Sequence, residues 1–510
     1  MKKIINLSVA LFLIIAVQSC SHDTSSFDTN YIPGIEIDTT GVSSFSVYQF
    51  DNLVVEPKLN NEGLAESQLD YEWKINLEPN DTMYQVLSKE LNLNEQIAFK
   101  PTNPGYAHQL VFTVTDLESD LKYIMSWPVT VLNNIGEGIV VAETYDGITT
   151  DISHIMSEEV TTDYTGVSVK YQVYSKINGA TIPGLTKQLK YYQIYGQNAV
   201  LGITDDMIYK IEPQDYTLAG INDELFYVAE ASYKPEALGQ VYQGSLFIND
   251  GRLTSTYFGA SQKFGTPFNS EYSVSSIIAA NPVSNPPVTI NYYNDEIDKF
   301  VYQPSVTQFG DSNRYEIPEN TTAAFNPGAL TGMVNLAANA ATNGDFRHLL
   351  KNEDTGEVGI YLFDGGESDY PNTIPPSPIA FYDLTSAPDI EQAQSFVFLD
   401  DQKILYYATS TKIYAVLFSG ATAVIQERYS VSAGEEITIL QVYQQADYPF
   451  RSSESYLPLN NKALMMATYN GSEGKVYLLP LINTGIGNID TPNISTFSGF
   501  GKITALGTQL

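Results

Sequence analysis

Cysteine is almost absent from this sequence. One of its 510 residues is a cysteine, Cys20, so no disulfide can form within the chain and apolar burial must hold the folded part together. Basic residues are also scarce, because 26 Lys and Arg stand against 59 Asp and Glu and give a net charge of −33. Such an excess of acid repels phosphate backbones and anionic lipid surfaces. We therefore expect no nucleic acid partner and no polybasic membrane contact.

Histidine and the common catalytic motifs are scarce as well. The four histidines, His22, His108, His154 and His348, form no His-x-x-His or Glu-x-x-His pair, so no metal site is predicted. We expect His154 to lie in a surface loop. The sequence contains no Gly-x-Ser-x-Gly and no phosphate-binding Gly-x-x-x-x-Gly-Lys-Ser/Thr. It therefore predicts no catalytic residue, no cofactor and no metal.

One long apolar run stands near the start of the chain. It extends from Ile4 to Val17 and follows Lys2 and Lys3. A charged start with an apolar core of this length is typical of a secretory signal, and the run is too short to span a bilayer comfortably.

The four residues that end this run, Val17-Gln18-Ser19-Cys20, resemble the lipobox of bacterial lipoproteins. The resemblance implies cleavage before Cys20 and attachment of acyl chains to it. Residues 1–19 are then a lipoprotein signal peptide, and residues 20–30 a lipidated, flexible stalk. Loss of the two lysines of the signal changes the net charge from −33 to −35.

The residues that are abundant indicate β-structure. The chain has 36 tyrosines and many Thr, Val and Ile residues, and helical periodicity is scarce. Over residues 31–133, short alternating segments are separated by Asn, Gly and Pro turns, which is the pattern of a small β-sandwich. The predicted strands are Phe45–Tyr48, Leu53–Pro57, Leu69–Ile75, Leu110–Asp116 and Tyr123–Val131.

Two of these strands carry a family resemblance. Tyr71-x-Trp73 on the third strand and Val111-x-Thr113-Val114-Thr115-Asp116 on the fourth resemble the PKD-type immunoglobulin-like fold, in which the aromatic pair packs in the core. The glycine- and aspartate-rich continuation of standard PKD repeats is replaced here by residues 74–79, Lys-Ile-Asn-Leu-Glu-Pro. The resemblance is therefore to a PKD-like variant, and it implies that Trp73 is a core residue rather than a platform for sugars.

A different pattern runs over residues 134–510. An apolar strand, an Asp, Asn or Gly turn and a second strand that usually carries tyrosine recur seven times. The turns are marked by Asp146, Asp206, Asp250, Asp295, Asp354, Asp401 and Asn470. Their spacings of 60, 44, 45, 59, 47 and 69 residues suit propeller blades, the longer ones with insertions, and are too short for separate sandwiches. We predict an all-β chain: a PKD/immunoglobulin-like β-sandwich followed by a β-propeller, with seven blades favoured.

Two further expectations follow from the propeller. Residues 497–506 are predicted to be a last strand that completes the blade begun near Gly138, because a propeller closes when its two ends meet. The tyrosine pairs at 191–192, 292–293 and 406–407 place one ring on each face of a strand. We expect one ring of each pair in a core and the other exposed or between blades.

Paired carboxylates leave an enzymatic alternative open. A propeller hydrolase or lyase needs two acids that converge in one pocket. The pairs Asp205-Asp206 and Asp400-Asp401 lie at predicted turns, where Asp is favoured by local hydrogen bonding, so we interpret them as turn residues. Residues 352–357 place several oxygen ligands in one loop without EF-hand spacing, and we interpret this loop as a turn as well.

Taken together, the chain after residue 20 is similar to the PKD-like surface lipoproteins of Bacteroidetes. The shared features are the lipobox, the PKD-like domain, the Gly-x-Val-Val strand at Gly138, the propeller-like body and Phe-Gly-Lys-Ile at residues 500–503. The resemblance implies a lipid-anchored outer-membrane protein, facing the cell surface, that accompanies a SusC/SusD-like transporter and neighbouring surface lipoproteins. Its ligand would be an oligopeptide or an oligosaccharide, and no ligand-binding residue is carried over. A purely structural role in such a complex is a further alternative.

Overall fold

A computed structural model describes residues 34–510 except 39, 62, 195–196, 243, 257–261, 284–285, 308–309, 370–371 and 451–454. Cys20, His22, the predicted signal peptide and the predicted stalk lie outside the described residues. The chain forms two compact units. The first comprises residues up to Val47, Asp51–Ile97 and Thr102–Val131, and the second comprises Tyr48–Phe50, Ala98–Pro101 and Leu132–Leu510.

The first unit is the sandwich. Its larger sheet has the strand order β2-β9-β8-β5-β6, and two strand pairs, β3-β7 and β1-β4, complete the unit. The pairings β1-β4, β3-β7, β5-β6, β5-β8 and β8-β9 are antiparallel. The strands are β1 (Glu36–Asp38), β2 (Phe45–Tyr48), β3 (Asn52–Val55), β4 (Lys58–Asn60), β5 (Leu69–Asn76), β6 (Tyr84–Ser88), β7 (Leu93–Gln96), β8 (His108–Asp116) and β9 (Lys122–Leu132). All five predicted strands are confirmed.

Trp73 lies in the core of the sandwich, as the resemblance implies. Its ring is fully buried and stacks on Phe112, with 4.1 Å between the ring centroids. The indole Nε1 donates to the carbonyl oxygens of Glu90 and Leu91, both at 3.1 Å, so the polar atom of the buried ring is satisfied. Tyr71, on the same face of β5, is half-buried and also stacks against Phe112, with 6.1 Å between the ring centroids.

The second unit is a β-propeller. In the described residues it contains seven antiparallel sheets of three or more strands, which we number as blades in chain order. Blade 1 contains β10 (Gly138–Thr144), β11 (Thr149–Ser157) and β12 (Val167–Lys170), with β13 (Ile182–Pro183) paired to β11; blade 2 contains β14 (Gln188–Ile194), β15 (Gln197–Ile203), β16 (Ile208–Ile211) and β17 (Leu218–Ile221); blade 3 contains β18 (Pro235–Val241), β19 (Gly244–Asn249) and β20 (Arg252–Ser255); blade 4 contains β21 (Ala279–Ala280), β22 (Ile290–Asn294), β23 (Lys299–Gln303) and β24 (Tyr315–Glu316).

Blades 5 to 7 follow the same plan, and a final strand belongs to blade 1. Blade 5 contains β25 (Met333–Ala340), β26 (Phe346–Asn352), β27 (Val358–Phe363) and β30 (Pro378–Asp383), with the inserted hairpin β28 (Glu367–Asp369) and β29 (Asn372–Ile374); blade 6 contains β31 (Ser395–Phe398), β32 (Ile404–Ala408), β33 (Lys412–Leu417) and β34 (Val424–Ser430); blade 7 contains β35 (Glu436–Val442), β36 (Ala463–Tyr469), β37 (Gly474–Ile482), β38 (Asn488–Ile489) and β39 (Ser495–Phe500); the final strand is β40 (Lys502–Gln509).

Helix is rare in the described residues. One short α-helix, α1, spans Val173–Asn178. Single 3-10 turns lie at Glu66–Gln68, Asn222–Leu225, Ile390–Gln392, Thr484–Ile486 and Thr491–Asn493. Among these residues no helix has the length and apolar character that crossing a membrane requires.

The seven blades form a closed ring. The first strand of each of blades 2 to 7 is its inner strand, A, and strands B, C and D follow outward. In blade 1 the A position is filled by β40, which pairs with β10 from Gly138↔Gln509 to Thr144↔Lys502. Each A strand contacts the A strand of the next blade, around to β35 with β40 and β40 with β14. The prediction that the C-terminal strand completes the blade begun at Gly138 is confirmed for residues 502–506, whereas residues 497–500 belong to β39 of blade 7.

The hairpin pattern is confirmed in six blades, and in blade 6 the predicted turn joins a different pair of strands. Six of the seven predicted turns join strands B and C of their blades. The turn at Asp401 instead joins β31 to β32, which are strands A and B of blade 6. The B–C turn of that blade lies at Ser410, between β32 and β33. With Ser410 as the turn of blade 6, the spacing from Asp354 is 56 residues and the spacing to Asn470 is 60. The spacing of 69 residues between Asp401 and Asn470 therefore arose from using the A–B turn of blade 6, and not from an insertion.

The tyrosine pairs are buried on both faces of their strands. All six rings expose less than a twentieth of their surface. The physical reason is that strands A and B of a blade lie between two neighbouring blades, so neither face meets solvent. Tyr406 packs in the cluster between blades 6 and 7, whereas Tyr407 packs in the cluster between blades 5 and 6. No ring of these pairs is therefore exposed for binding a sugar or a peptide.

Closure by β40 should be the point at which the propeller is most sensitive to truncation. Leu506 on β40 is buried between blades 1 and 7, and Leu506→Ala should destabilise the propeller by about 2–5 kcal/mol through lost burial and a cavity. Lys502→Ala, on the exposed side of the same strand, should change stability by less than about 0.5 kcal/mol. Urea unfolding followed by far-UV circular dichroism measures both.

The sandwich provides an internal reference for this experiment. Both tryptophans, Trp73 and Trp127, lie in the sandwich, so tryptophan fluorescence reports that unit. Its transition should be the same in the two variants. An equal loss of propeller unfolding free energy in Leu506→Ala and Lys502→Ala would contradict the closure role of β40.

Candidate functional site

A polar cavity lies on the axis of the propeller. Its walls are formed by the A strands and by the A–B connections of blades 6 and 7. Two lobes, of about 360 and 420 Å³, share Lys190, Gln240, Asn339, Asp400 and Gln444 in their walls. Because every A strand starts at one end of the ring and finishes at the other, all blades present side chains to the same space. We call this space the axial cavity.

Lys190 supplies a positive charge to the axial cavity. It lies on β14 in blade 2, and its half-buried side chain lines both lobes. Desolvation lowers the pKa of the Lys190 ammonium, and the charge of Asp400 partly counters this effect. Lys190 and Asp400 interact electrostatically, but within the described residues no direct ion pair or hydrogen bond reaches the Lys190 ammonium.

Asp400 supplies the opposite charge and is held by two side-chain amides. Asn339 Nδ2 donates to Asp400 Oδ1 at 2.7 Å, and Gln444 Nε2 donates to Asp400 Oδ2 at 2.5 Å. Burial raises the pKa of the Asp400 carboxyl, and the two amides and the nearby Arg347 partly offset the rise. Asn339 comes from blade 5 and Gln444 from blade 7, so the two neighbouring blades fix the carboxylate of blade 6.

The turn that carries Asp400 is also fixed through its backbone. The guanidinium of Arg347, on β26, donates to the carbonyl oxygens of Leu399 and Gln402 at 2.6 and 2.8 Å. The amide of Thr342 donates to the carbonyl oxygen of Asp400 at 3.1 Å. A binding carboxylate needs such support, because a buried charge otherwise loses solvation without compensation.

One end of the axial cavity is crossed by a loop from blade 7. Neighbouring strands are antiparallel, so all A–B connections lie at the same end of the ring. The A–B connection of blade 7, between β35 and β36, is long, and we call its residues 443–450 the crossing loop. Gln444, Tyr448 and Pro449 of this loop line the axial cavity. The Phe450 ring lies 5.9 Å from the ring of Tyr242 in blade 3, three positions away in the ring, so the loop reaches across the axis.

The crossing loop is fixed by polar contacts with its own blade and with blade 1. Gln445 receives a hydrogen bond from the Leu457 amide at 2.6 Å, and its own amide donates to Glu137. Thr508 Oγ1, on β40, donates to the carbonyl oxygen of Gln444 at 2.8 Å. The Tyr448-Pro449 peptide bond is cis.

Further amide side chains cover the remaining walls. Gln188 pairs with the backbone of Leu238, donating at 3.0 Å and accepting at 2.7 Å, so it bridges blades 2 and 3. Gln240 and Gln441 also line the cavity, and the described residues give their side-chain amides no hydrogen-bond partner. Each of these amides can both donate and accept, which suits a ligand that carries N–H, O–H or C=O groups.

The prediction for His154 is wrong. His154 lies inside β11 and is completely buried, with its Nδ1 2.8 Å from the hydroxyl of Tyr216. β11 is longer than the sequence pattern indicated, so His154 lies within the strand and its ring is buried rather than exposed in a loop. His348 on β26 is also completely buried, and His108 opens β8 with its Nδ1 2.9 Å from the carbonyl oxygen of Asn76. No cluster of three or more metal-ligating side chains occurs in the described parts of the chain.

The acid pairs separate into two cases. Asp205 is exposed at its turn and pairs with Lys187 at 2.9 Å, while Asp206 accepts from Thr204 at 3.1 Å, so these two are turn residues. Asp401 is exposed, whereas Asp400 lines the axial cavity, and interpreting Asp400 as a plain turn residue was wrong. Asp400 and Asp401 are adjacent in the turn, yet one side chain faces the axial cavity and the other faces solvent. Among the described residues that line the axial cavity, Asp400 is the single carboxylate.

The loop at 352–357 has the contacts of a polar turn. Asn352 Oδ1 accepts hydrogen bonds from the amides of Asp354 and Thr355 at 3.0 and 2.8 Å. An Asn side chain that accepts from the amides two and three residues later is typical of a turn, in agreement with the turn interpretation.

Comparison with known families agrees with the N-terminal assignment. Residues 28–185 match the model described as PKD-like family, a range that includes the sandwich and the first strands of blade 1. No curated protein sequence matches the chain significantly.

The chain also aligns with solved structures. A quinonprotein alcohol dehydrogenase-like protein from Bacteroides thetaiotaomicron aligns over 94% of this chain and 98% of its own, with a TM-score of 0.50 and 12% identity. PorZ of Porphyromonas gingivalis, a surface component of its type-IX secretion system, aligns over 67% of this chain and 45% of its own, with a TM-score of 0.28 and 10% identity. The WD40 domain of SCAP from fission yeast aligns over 72% and 73%, with a TM-score of 0.20 and 8% identity. At this identity the first similarity concerns the fold alone.

The two buried histidines should make the protein acid-sensitive. Burial lowers the pKa of both His154 and His348 to about 3, from 6.5. The unfolded chain takes up these protons below pH 6.5 and the folded chain does not, so stability is complete above pH 6.5 and is lost as the pH falls towards 3. His348→Gln should reduce the slope of the free energy of unfolding against pH by about 1 kcal/mol per pH unit. Urea unfolding at pH 7.5, 6.0 and 5.0 measures it, and an unchanged slope would show that His348 is not held neutral.

Proposed function

We propose that this protein is a non-catalytic accessory lipoprotein of the outer membrane that binds a small polar ligand in its propeller. The observation that carries the ligand-binding part is the axial cavity, in which Lys190 and Asp400 face a common space without a direct ion pair. Structural proteins have no need of two charged groups in an enclosed space, because burying charge lowers stability unless the charges are paired. A ligand site explains why both are retained.

The enclosure of the cavity supports binding rather than passage. The crossing loop reaches from blade 7 to Tyr242 in blade 3 and covers one end of the axis. Ligand sites in proteins are commonly concave and largely pre-formed, with a few fixed polar groups. Asp400 meets this description, since its two oxygens and its turn are all fixed by neighbouring blades.

The cellular part of the proposal rests on the sequence and on the family resemblance. The Val-Gln-Ser-Cys segment at 17–20 would place acyl chains on Cys20, and two or three such chains hold a protein at a membrane almost permanently. The match of residues 28–185 to the PKD-like family and the fold shared with a Bacteroides propeller are compatible with a surface accessory protein. The partner would be a SusC/SusD-like transporter with its neighbouring surface lipoproteins, and the ligand an oligopeptide or an oligosaccharide.

Lipid anchoring at Cys20 can be tested by fractionation. Cys20→Ser should move the protein from the membrane pellet to the soluble fraction, because the acyl chains have no other attachment site in a chain with one cysteine. Thr24→Ala, in the predicted stalk, is the matched control and should remain in the pellet. Retention of the Cys20→Ser protein in the pellet would rule out Cys20 as the anchor.

The accessory role can be tested by co-purification. An affinity tag inserted at the exposed turn Asn470–Gly471 leaves β40 and the axial cavity intact. Isolation from outer membranes in mild detergent, followed by mass spectrometry, should recover a SusC/SusD-like pair in stable proportion. The same tagged protein carrying Cys20→Ser should recover far less of the pair. Isolation of the anchored protein alone would contradict the complex.

A further inference from the structure

The charges of the axial cavity restrict what it can bind. Lys190 would attract an anion, but the chain as a whole has a net charge of −33, which repels anions at longer range. Asp400 would attract a cation, but Lys190 lies in the same space and repels it. A ligand with both charges avoids each penalty, because its negative end can lie at Lys190 and its positive end at Asp400.

The two charges stand on opposite sides of the axis. Lys190 is on blade 2 and Asp400 is at the end of the A strand of blade 6, three positions away in a ring of seven. The described residues leave the Lys190 ammonium without a hydrogen bond, and the Asp400 carboxylate keeps further lone pairs beyond the two amides that it accepts from. Each group can therefore bind one end of a ligand that spans the cavity.

The walls between these charges are complementary to peptide groups. Gln240 and Gln441 line the space with amides that are free to donate and to accept. The amide of Asn339 that donates to Asp400 has its own oxygen buried, so Asn339 orients the carboxylate and does not face a ligand. A neutral oligosaccharide could use the amides, but it would leave both charges unpaired.

We propose that the axial cavity binds a short peptide with free termini, its carboxylate at Lys190 and its ammonium at Asp400. This inference rests on the proposed binding function of the same cavity. The crossing loop, through Tyr448 and Pro449, limits the ligand's extent along the axis at the A–B end.

Titration calorimetry of the full-length lipoprotein in mild detergent tests the inference with trialanine as the probe. Trialanine should bind at least tenfold more tightly than N-acetyl-trialanine and than trialanine amide, each of which lacks one terminal charge. Maltotriose, which lacks both, should bind more weakly still. These comparisons use the unaltered protein, so they do not depend on any variant folding.

Variants assign each end of the ligand. Lys190→Gln should abolish the difference between trialanine and its amide while keeping the loss on acetylation, and Asp400→Asn should do the reverse. Asp401→Asn and Lys403→Gln, exposed on the same turn as Asp400, are matched controls and should change neither ratio.

Two results would overturn the inference. Equal affinity for trialanine and its two blocked forms would show that the termini are not recognised. Binding of maltotriose without binding of trialanine would replace the peptide with a sugar while leaving the proposed binding function intact. Failure of the co-purification with a transporter pair is a separate outcome, since it concerns the membrane complex and not the cavity.

Discussion

The pairing of β40 with β10 is the constraint on which the rest of the propeller depends. A sheet that closes on itself has no free edge, and here the edge is removed by joining the last strand of the chain to the first blade. This pairing places the inner strands of blades 7, 1 and 2 side by side. The axial cavity has continuous walls only because all seven inner strands are in place, so the candidate site depends on the pairing of two strands from opposite ends of the propeller segment, β10 and β40.

The cavity combines two charges with supports that differ in kind. Asp400 is held by hydrogen bonds from side chains of blades 5 and 7, whereas within the described residues no hydrogen bond reaches the Lys190 ammonium. Two opposite charges about 4 Å apart interact by about 4 kcal/mol at an effective dielectric constant of about 20, so direct pairing would be favourable if the backbone allowed it. Their separation is imposed by the ring, because blades 2 and 6 cannot approach each other. A rigid scaffold of this kind keeps the two charges apart, whereas a flexible chain would let them pair with each other.

The sequence was sufficient for the architecture but not for the site. Asp146, Asp206, Asp250, Asp295, Asp354 and Asn470 mark true B–C turns, because turn chemistry is local and is encoded within a few residues. Asp401 was predicted to mark a B–C turn and lies in an A–B turn, because both kinds of turn use the same residue types. The burial of His154 and of both rings in each tyrosine pair depends on neighbouring blades, which a strand-by-strand pattern does not show. Lys190 and Asp400 are 210 positions apart, and only the ring brings them together.

Hydrogen–deuterium exchange of the full chain with and without trialanine is the most direct measurement of the central claim, that the axial cavity is the ligand site. Ligand should slow exchange in β14, in β25, at the turn carrying Asp400 and in residues 443–450, and should leave the outer strands of the blades and the sandwich unchanged. Protection confined to outer strands or to the sandwich would contradict the account, because it would place the ligand away from Lys190 and Asp400.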